Sequence, residues 1–347
     1  MMHEYYMQRC LQLAKLGMGD VAPNPMVGAV LVHEATIIGE GFHQKFGAPH
    51  AEVNCINSVK EKDRDLISKS ILYVSLEPCA HFGKTPPCAD LIIQHKIPEV
   101  IIGCRDPFIE VNGKGIENLI AAGVKVVTGI LENECKELNK RFFCFHTKQR
   151  PYIILKWAQS ADGKIGNKDK RIPISNEFTN RLVHKWRSEE TSILAGTNTV
   201  LTDDPELTTR LWDGNDPIRL VIDMNLKLPS SLKVFNNKAK TILFNKLKNE
   251  QCENIEFCKL KENENLVQQI IVALYERRIQ TVIVEGGAKL LQSFIDENLW
   301  DEVRRIENRK LKMGDGVSAP VLSNAELIYS GNIFSDKIDH FRNTFAD

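Results

Sequence analysis

The chain has 347 residues, 43% hydrophobic and 26% charged, and its 45 Lys plus Arg balance 45 Asp plus Glu. That length suits two domains, and that composition suits packed cores. Zero formal charge removes the usual electrostatic footprint of a protein that grips a nucleic-acid backbone, so a small-molecule partner is the better expectation.

The opening "MMHEYYMQRC" lacks a basic stretch followed by an apolar core, and no run of about 18 apolar residues follows, so neither a signal peptide nor a membrane span is expected. Nine cysteines without a secretory signal read as free thiols and metal ligands of a cytoplasmic protein. Met7, Cys10, Leu11 and Ala14 recur at helical spacing. "VGAVLV" (27–32), "ILYVSL" (71–76), "EVIIG" (99–103) and "VKVVT" (124–128) predict buried strands, with helices starting near His50, Cys88, Gly115 and Leu131. The alternation predicts an α/β layered domain. "FHTKQRP" (145–151) is polar, ends in proline and predicts a hinge, with domains at 1–146 and 147–347. Beyond it, 152–158, 192–196, 218–223, 241–244 and 281–287 predict strands, and "NEFTNRLVHKWRSE" and "NLVQQIIVALYERR" predict helices. The charged run "NKLKNEQCENIEFCKLKENEN" reads as a solvated surface stretch.

"APHAEVNCI" (48–56) sets His50 and Glu52 one residue apart at a helix start, and "SLEPCAHFGKTPPC" (75–88) places Cys79 after an apolar strand and Cys88 at the opening of a helix. Catalytic zinc takes three protein ligands of this kind and keeps a fourth position for water. A carboxylate beside such water can take its proton and deliver it to a leaving amine. A lone His-x-Glu or a lone cysteine has no such meaning; the ordered set matches the recognised H-x-E…P-C-x-x-C signature of zinc deaminases. Eight residues rather than two separate Cys79 from Cys88, which requires an extra loop. His43 and His81 are further polar candidates, and Cys10, Cys55, Cys104, Cys135, Cys144, Cys252 and Cys258 read as structural.

"APNPMVGAVLV" (22–32), "GFHQKFGAPHAE" (41–52), "EPCAHFGKTPPC" (77–88) and "DPFIEVNGKGIENLIAAGV" (106–124) resemble the deaminase half of the bifunctional riboflavin-biosynthesis enzymes. That family fuses a diaminohydroxyphosphoribosylaminopyrimidine deaminase to a 5-amino-6-(5-phosphoribosylamino)uracil reductase. The resemblance implies a cytidine-deaminase-like αβα domain in which His50, Cys79 and Cys88 bind one Zn2+ and Glu52 shuttles the proton. Asn24 and Lys84 would lie near the pyrimidine or the ribose phosphate.

"LKWAQSADGKIG" (155–166), "LAGTNTVLTDDPELTTR" (194–210) and "VIVEGGAKLLQSF" (282–294) resemble the family's reductase half, which implies a dihydrofolate-reductase-like α/β domain. The last segment reads as strand, glycine pair and helix, where backbone amides can meet phosphate. The resemblance implies NADPH held by Ala158, Thr199, Asp203 and Gly287, Ala288, Lys289, Leu290, Leu291, Gln292 and Ser293. It implies substrate contacts from Lys156, Arg187, Leu207, Arg210 and Glu285, the two arginines suiting a ribose 5-phosphate. Many members carry a Ser-x-Trp-Ile-Ser/Thr segment where this chain reads "KRIPISNEFTN" (170–180), with Arg171 and Pro173 in place of serine and tryptophan. The rival expectations are a working deaminase with an altered reductase, an editor of nucleic-acid bases, and a scaffold with an incidental zinc site. A homo-oligomer is a further expectation drawn from the reductase fold.

Overall fold

Two periodicities build the protein: apolar residues every three to four positions in the helices, and alternating or continuous apolar runs in the strands. The structure, a computed structural model, describes residues 2–80, 86–167 and 172–345, and the chain divides into Met1–Gln149 and Arg150–Asp347. His81, Lys84 and Arg171 lie outside the described residues.

The first unit runs α1 (Met2–Ala14), β1 (Gly28–His33), β2 (Thr36–Phe42), α2 (Ala51–Asn57), β3 (Ile71–Leu76), α3 (Cys88–Gln94), β4 (Glu99–Cys104), α4 (Lys114–Ala121), β5 (Lys125–Thr128), α5 (Glu132–Leu138) and α6 (Lys140–Lys148). Its sheet has the order β2-β1-β3-β4-β5; β1 is antiparallel to both neighbours, and β3, β4 and β5 are parallel. Successive strand residues face opposite sides. Val30, Val32, Tyr73 and Ile101 pack against Met7, Cys10 and Leu11 of α1 and Cys135 and Leu138 of α5. Ala29, Leu31, Leu72, Val74, Val100 and Ile102 pack against Ala51, Cys55 and Ile56 of α2, Ala89 and Ile92 of α3 and Leu119 of α4. The layering is αβα, and α2 and α3 share one face.

Glycine sets the position of α2. A Cβ on Gly41 of β2 would lie 2.2 Å from the Cys55 nitrogen and 2.6 Å from the Ala51 carbonyl oxygen. Only hydrogen at that position lets the helix lie directly on the strand.

The second unit runs β6 (Tyr152–Ser160), β7 (Lys164–Gly166), α7 (Glu177–Glu189), β8 (Ser192–Gly196), α8 (Thr197–Asp203), β9 (Ile218–Ile222), β10 (Thr241–Asn245), β11 (Glu250–Cys252), β12 (Ile255–Lys259), α9 (Leu266–Glu276), β13 (Thr281–Gly286), α10 (Ala288–Asp296), β14 (Glu302–Asn308), β15 (Val317–Ser318), β16 (Ala325–Ile333) and β17 (Asp336–Asn343). Ten strands order as β11-β12-β10-β9-β8-β13-β6-β14-β17-β16. From β12 through β14 the sheet is parallel, with antiparallel strands at both margins. Ile153, Leu155, Leu194, Leu220, Val282 and Val284 form one core with Val267, Ile270 and Leu274 of α9 and Leu290, Leu291 and Phe294 of α10. The chain passes from β6 to β8 and later inserts β13 between them, so strand order reverses there. In parallel sheets such a point opens a crevice at the carboxyl ends of the strands.

The structure refines the sequence expectations in three places. Residues 145–148 finish α6, and the two units meet after Gln149, which has a left-handed φ of 52° and lies inside the 145–151 segment. The charged run after β10 is not wholly solvated surface: it forms β11 and β12, and Cys258 is buried in the core because β12 extends the parallel sheet from β10. Strands β14 and β17 lacked an apolar alternation to announce them because their charges are paired within the fold. Arg304 reaches Glu302 at 2.7 Å and Glu190 at 3.4 Å, and Arg305 reaches Asp339 at 2.7 Å.

Candidate functional site

In the first unit His50 is the N-cap position of α2, Cys79 follows β3 and Cys88 opens α3. The sheet brings these ends together. His50 Nδ1 lies 3.5 Å from Cys79 Sγ and 3.4 Å from Cys88 Sγ, and the three donor atoms all fall within 4.8 Å of one another. Zinc bonded tetrahedrally to sulfur at 2.3 Å and nitrogen near 2.05 Å would set its N···S edges at about 3.6 Å. The donor set and its spacing therefore fit zinc.

The charge pattern agrees. Cys88, joined by His50, pulls the Cys79 thiol down to about 4 against the opposing effect of burial, so Cys79 is a thiolate at neutral pH. The hydrogen bond to the Cys79 sulfur raises the His50 pKa despite its burial. Glu52 is 3% exposed in the first turn of α2. Burial, reinforced by the charge on Cys79, pushes its carboxyl up to about 7. A carboxyl poised there both takes and gives a proton near neutral pH.

Beside the cluster lies a relay that sequence named only in part. The Pro49 carbonyl can only accept, so His43 donates to it from Nδ1, at 3.1 Å. That leaves His43 Nε2 to accept from the Asn24 amide at 3.1 Å. Burial lowers the His43 pKa and keeps the ring neutral, as this tautomer requires. The His43 and His50 rings meet edge-on, 5.3 Å between centroids. Asn24 therefore stands next to the donor cluster with its amide orientation fixed.

The second unit gathers a different site at its crevice. Lys156 of β6, Glu285 of β13 and Arg187 of α7 form a buried charged cluster. Arg187 donates from Nε to Glu285 Oε1 and from Nη2 to Oε2, each at 2.8 Å, and Lys156 Nζ lies 3.4 Å from Oε2. Burial alone would raise the Glu285 carboxyl; Arg187 and Lys156 overcome it and hold it down to about 2. Burial lowers the Lys156 pKa, against the pull of Glu285. Both donors of the Arg187 fork are thus taken, and its remaining Nη1 reaches the Thr208 carbonyl at 3.2 Å. The guanidinium of Arg187 is thus engaged by a carboxylate of its own chain, with two of its five N–H groups on Glu285 and one on Thr208. Arg210 differs, with a side chain 44% exposed that pairs with Glu206 at 3.3 Å and Thr208 Oγ1 at 3.0 Å. Its backbone N–H donates to His184 Nδ1 at 2.9 Å, and Leu207 is buried with a left-handed φ of 53°.

The residues expected around NADPH lie at the carboxyl ends of β6, β8 and β13. Ala158 is near the end of β6, and Thr199 on α8 packs against Gly286, where an added Cβ would sit 2.7 Å from Thr199 Cγ2. Asp203 follows one turn later as the last residue of α8. Gly287 adopts φ 83°, and α10 begins with neither a side-chain cap nor an acidic residue in its first turn. Ala288, Lys289 and Leu290 supply that turn, with Leu291, Gln292 and Ser293 next. Uncapped amides at a helix start fit a phosphate group. Of the variant segment, Ile174 and Asn176 are anchored: the Ile174 carbonyl accepts from Asn308 at 2.6 Å, and Asn176 caps α7 through Thr179. Pro173 is exposed.

Residues 1–104 match the cytidine and deoxycytidylate deaminase zinc-binding region, and residues 151–307 match the RibD C-terminal domain. The riboflavin biosynthesis protein RibD of Aquifex aeolicus is 40% identical over 346 residues, spanning 96% of this chain and 94% of that protein. The chain belongs to the RibD family. RibD of Escherichia coli is 32% identical over 87% of this chain and 86% of its own. The crystal structure of a diaminohydroxyphosphoribosylaminopyrimidine deaminase/5-amino-6-(5-phosphoribosylamino)uracil reductase from Thermotoga maritima matches with a TM-score of 0.90 at 37% identity, covering 99% of each chain. Acinetobacter baumannii RibD matches with a TM-score of 0.89 at 29% identity, covering 98% of each chain. The fold is that of the RibD family, a cytidine-deaminase-like half followed by a dihydrofolate-reductase-like half. No helix among the described residues is long and apolar enough to cross a membrane.

Proposed function

We infer that the chain carries out two successive steps of riboflavin biosynthesis on one small-molecule pyrimidine. The first is hydrolytic deamination of 2,5-diamino-6-(5-phosphoribosylamino)pyrimidin-4(3H)-one, in which water enters and ammonia leaves. The second is reduction of the ribosyl group of the resulting 5-amino-6-(5-phosphoribosylamino)uracil to ribityl. The observation that carries the reading is the convergence of His50, Cys79 and Cys88 on one point beside buried Glu52.

His50, Cys79 and Cys88 would hold Zn2+, whose chemistry when bound is to make water nucleophilic near neutral pH. Glu52 accepts a proton at its carboxylate and returns it to the departing amine. Asn24, oriented by His43, offers an amide to the pyrimidine edge. In the second unit the uncapped start of α10, with Thr199 behind it, would seat a phosphate of NADPH, which supplies the hydride. Lys156 and Glu285 would hold the sugar oxygens, and Arg210 rather than Arg187 would meet the substrate phosphate. Cytoplasmic location and a homo-oligomer belong to this reading, and cell fractionation and light scattering test them.

Zinc-loaded protein is given the diaminopyrimidine substrate, with NADPH added after deamination has run. The reading expects ammonia without cofactor and NADPH oxidation afterwards. No ammonia from zinc-loaded protein overturns the deaminase reading, and ammonia without later NADPH loss overturns the reductase reading.

A further inference from the structure

Glu77 lies at the end of β3, two residues before Cys79, and is 4% exposed. Among the described residues its carboxylate has four hydrogen-bond partners, all backbone amides. Oε2 accepts from Asp106 at 3.2 Å and Gly113 at 3.0 Å; Oε1 accepts from Gly115 at 3.1 Å and Ile116 at 3.3 Å. Gly115 and Ile116 belong to the first turn of α4, where the helix dipole favours a negative charge. One side chain thus ties both ends of the 106–113 loop and the start of α4 to the strand that leads into the donor cluster.

The approach is close. A Cβ on Gly115 would lie 2.0 Å from the Pro78 carbonyl oxygen, so the first turn of α4 rests directly on the residue before Cys79. Gly113 turns into the helix with φ 90°, and Asp106, at the loop's beginning, is buried. The buried carboxylate therefore fastens both ends of the loop beside the cluster, while Val111 is buried within it and the Phe108 ring meets His146 at 4.9 Å.

We propose that Glu77 is a positioning residue of the deaminase, a buried anion whose four amide contacts hold the 106–116 segment as one wall of the pyrimidine site. The proposal rests on the deaminase reading above. A carboxylate is needed because both of its oxygens accept. A glutamine keeps the shape but turns an NH2 group towards two amide donors, which cannot accept from them. The metal ligands themselves are untouched by that change, so its effect falls on the wall.

The test compares zinc-loaded full-length wild type with Glu77→Gln and Gly115→Ala, the latter moving α4 while the carboxylate stays. Zinc content, deaminase KM and kcat, reductase rate and amide exchange at 113–116 are read on each. Both variants are expected to keep one zinc and the wild-type reductase rate, while deaminase KM rises roughly 10- to 100-fold, more than kcat falls. Amides 113, 115 and 116 should exchange faster in Glu77→Gln. Unchanged KM in an active enzyme overturns the proposal, and so does deaminase loss that follows zinc loss. A wild type that releases no ammonia overturns the deaminase reading, and the proposal with it.

Discussion

The two sites of this chain solve the problem of burying charge in opposite ways. Around His50, Cys79, Cys88 and Glu52, a thiolate and a carboxyl raised to about 7 face one point, and the cluster is arranged for a cation from outside. Around Glu285, the chain provides its own cations, Lys156 and Arg187, so the buried carboxylate is paired before any ligand arrives. The difference teaches that one half depends on a metal for its electrostatics, whereas the other is preorganised by side chains drawn from β6, α7 and β13. Removing a partner should therefore damage the first half in chemistry and the second in stability.

The largest expected effect is on the proton carrier. Glu52→Gln should lower deaminase kcat by roughly 10²- to 10⁴-fold while zinc content and the reductase rate stay at wild-type values, measured by ammonia release and NADPH oxidation. A chelator should likewise abolish deamination alone, and a matched fall in the reductase rate would break the comparison. Glu285→Gln removes the shared anion and leaves Lys156 and Arg187 buried without it. We expect a loss of roughly 3–5 kcal/mol in the stability of the second unit, read by urea denaturation, with deamination preserved.

Acid sharpens the contrast further. The folded Glu285 carboxyl lies near 2, below its ordinary 4.5, so its stabilising contribution is present above pH 4.5 and is lost as pH falls towards 2. Glu285→Gln should flatten the acid-unfolding profile of the second unit over that window, seen by circular dichroism against pH. The smallest effect belongs to Arg210, whose pair with Glu206 is half exposed. Arg210→Ala should change stability by less than about 1 kcal/mol yet raise reductase KM, a split that steady-state kinetics and a melting curve separate.

Much of the first site was legible because its chemistry is local in sequence: His50 and Glu52 share one helical turn, and Cys79 and Cys88 each mark the end or start of an apolar element. The continuous apolar strands β3, β4 and β8 were legible for the same reason. What sequence concealed was long-range pairing. Nothing local to Arg187 announces its pairing with Glu285, 98 residues away. Arg304 likewise finds Glu190 only through the sheet, across 114 residues. Glu77 stood inside the quoted motif but drew no attention, because its partners are amides of the distant "NGKGI" stretch rather than side chains. The signal was available: an acidic residue ending a buried apolar strand, answered later by closely spaced glycines.

Gly41 carries a consequence for how the protein would look to genetics. It brings no side chain to the site, yet the backbone of α2, the helix that carries Glu52 and is capped by His50, rests where its side chain would be. In a library of random codons selected for growth without added riboflavin, position 41 would tolerate replacement as poorly as the proton carrier itself. An observer reading that screen without coordinates would score it as an active-site residue.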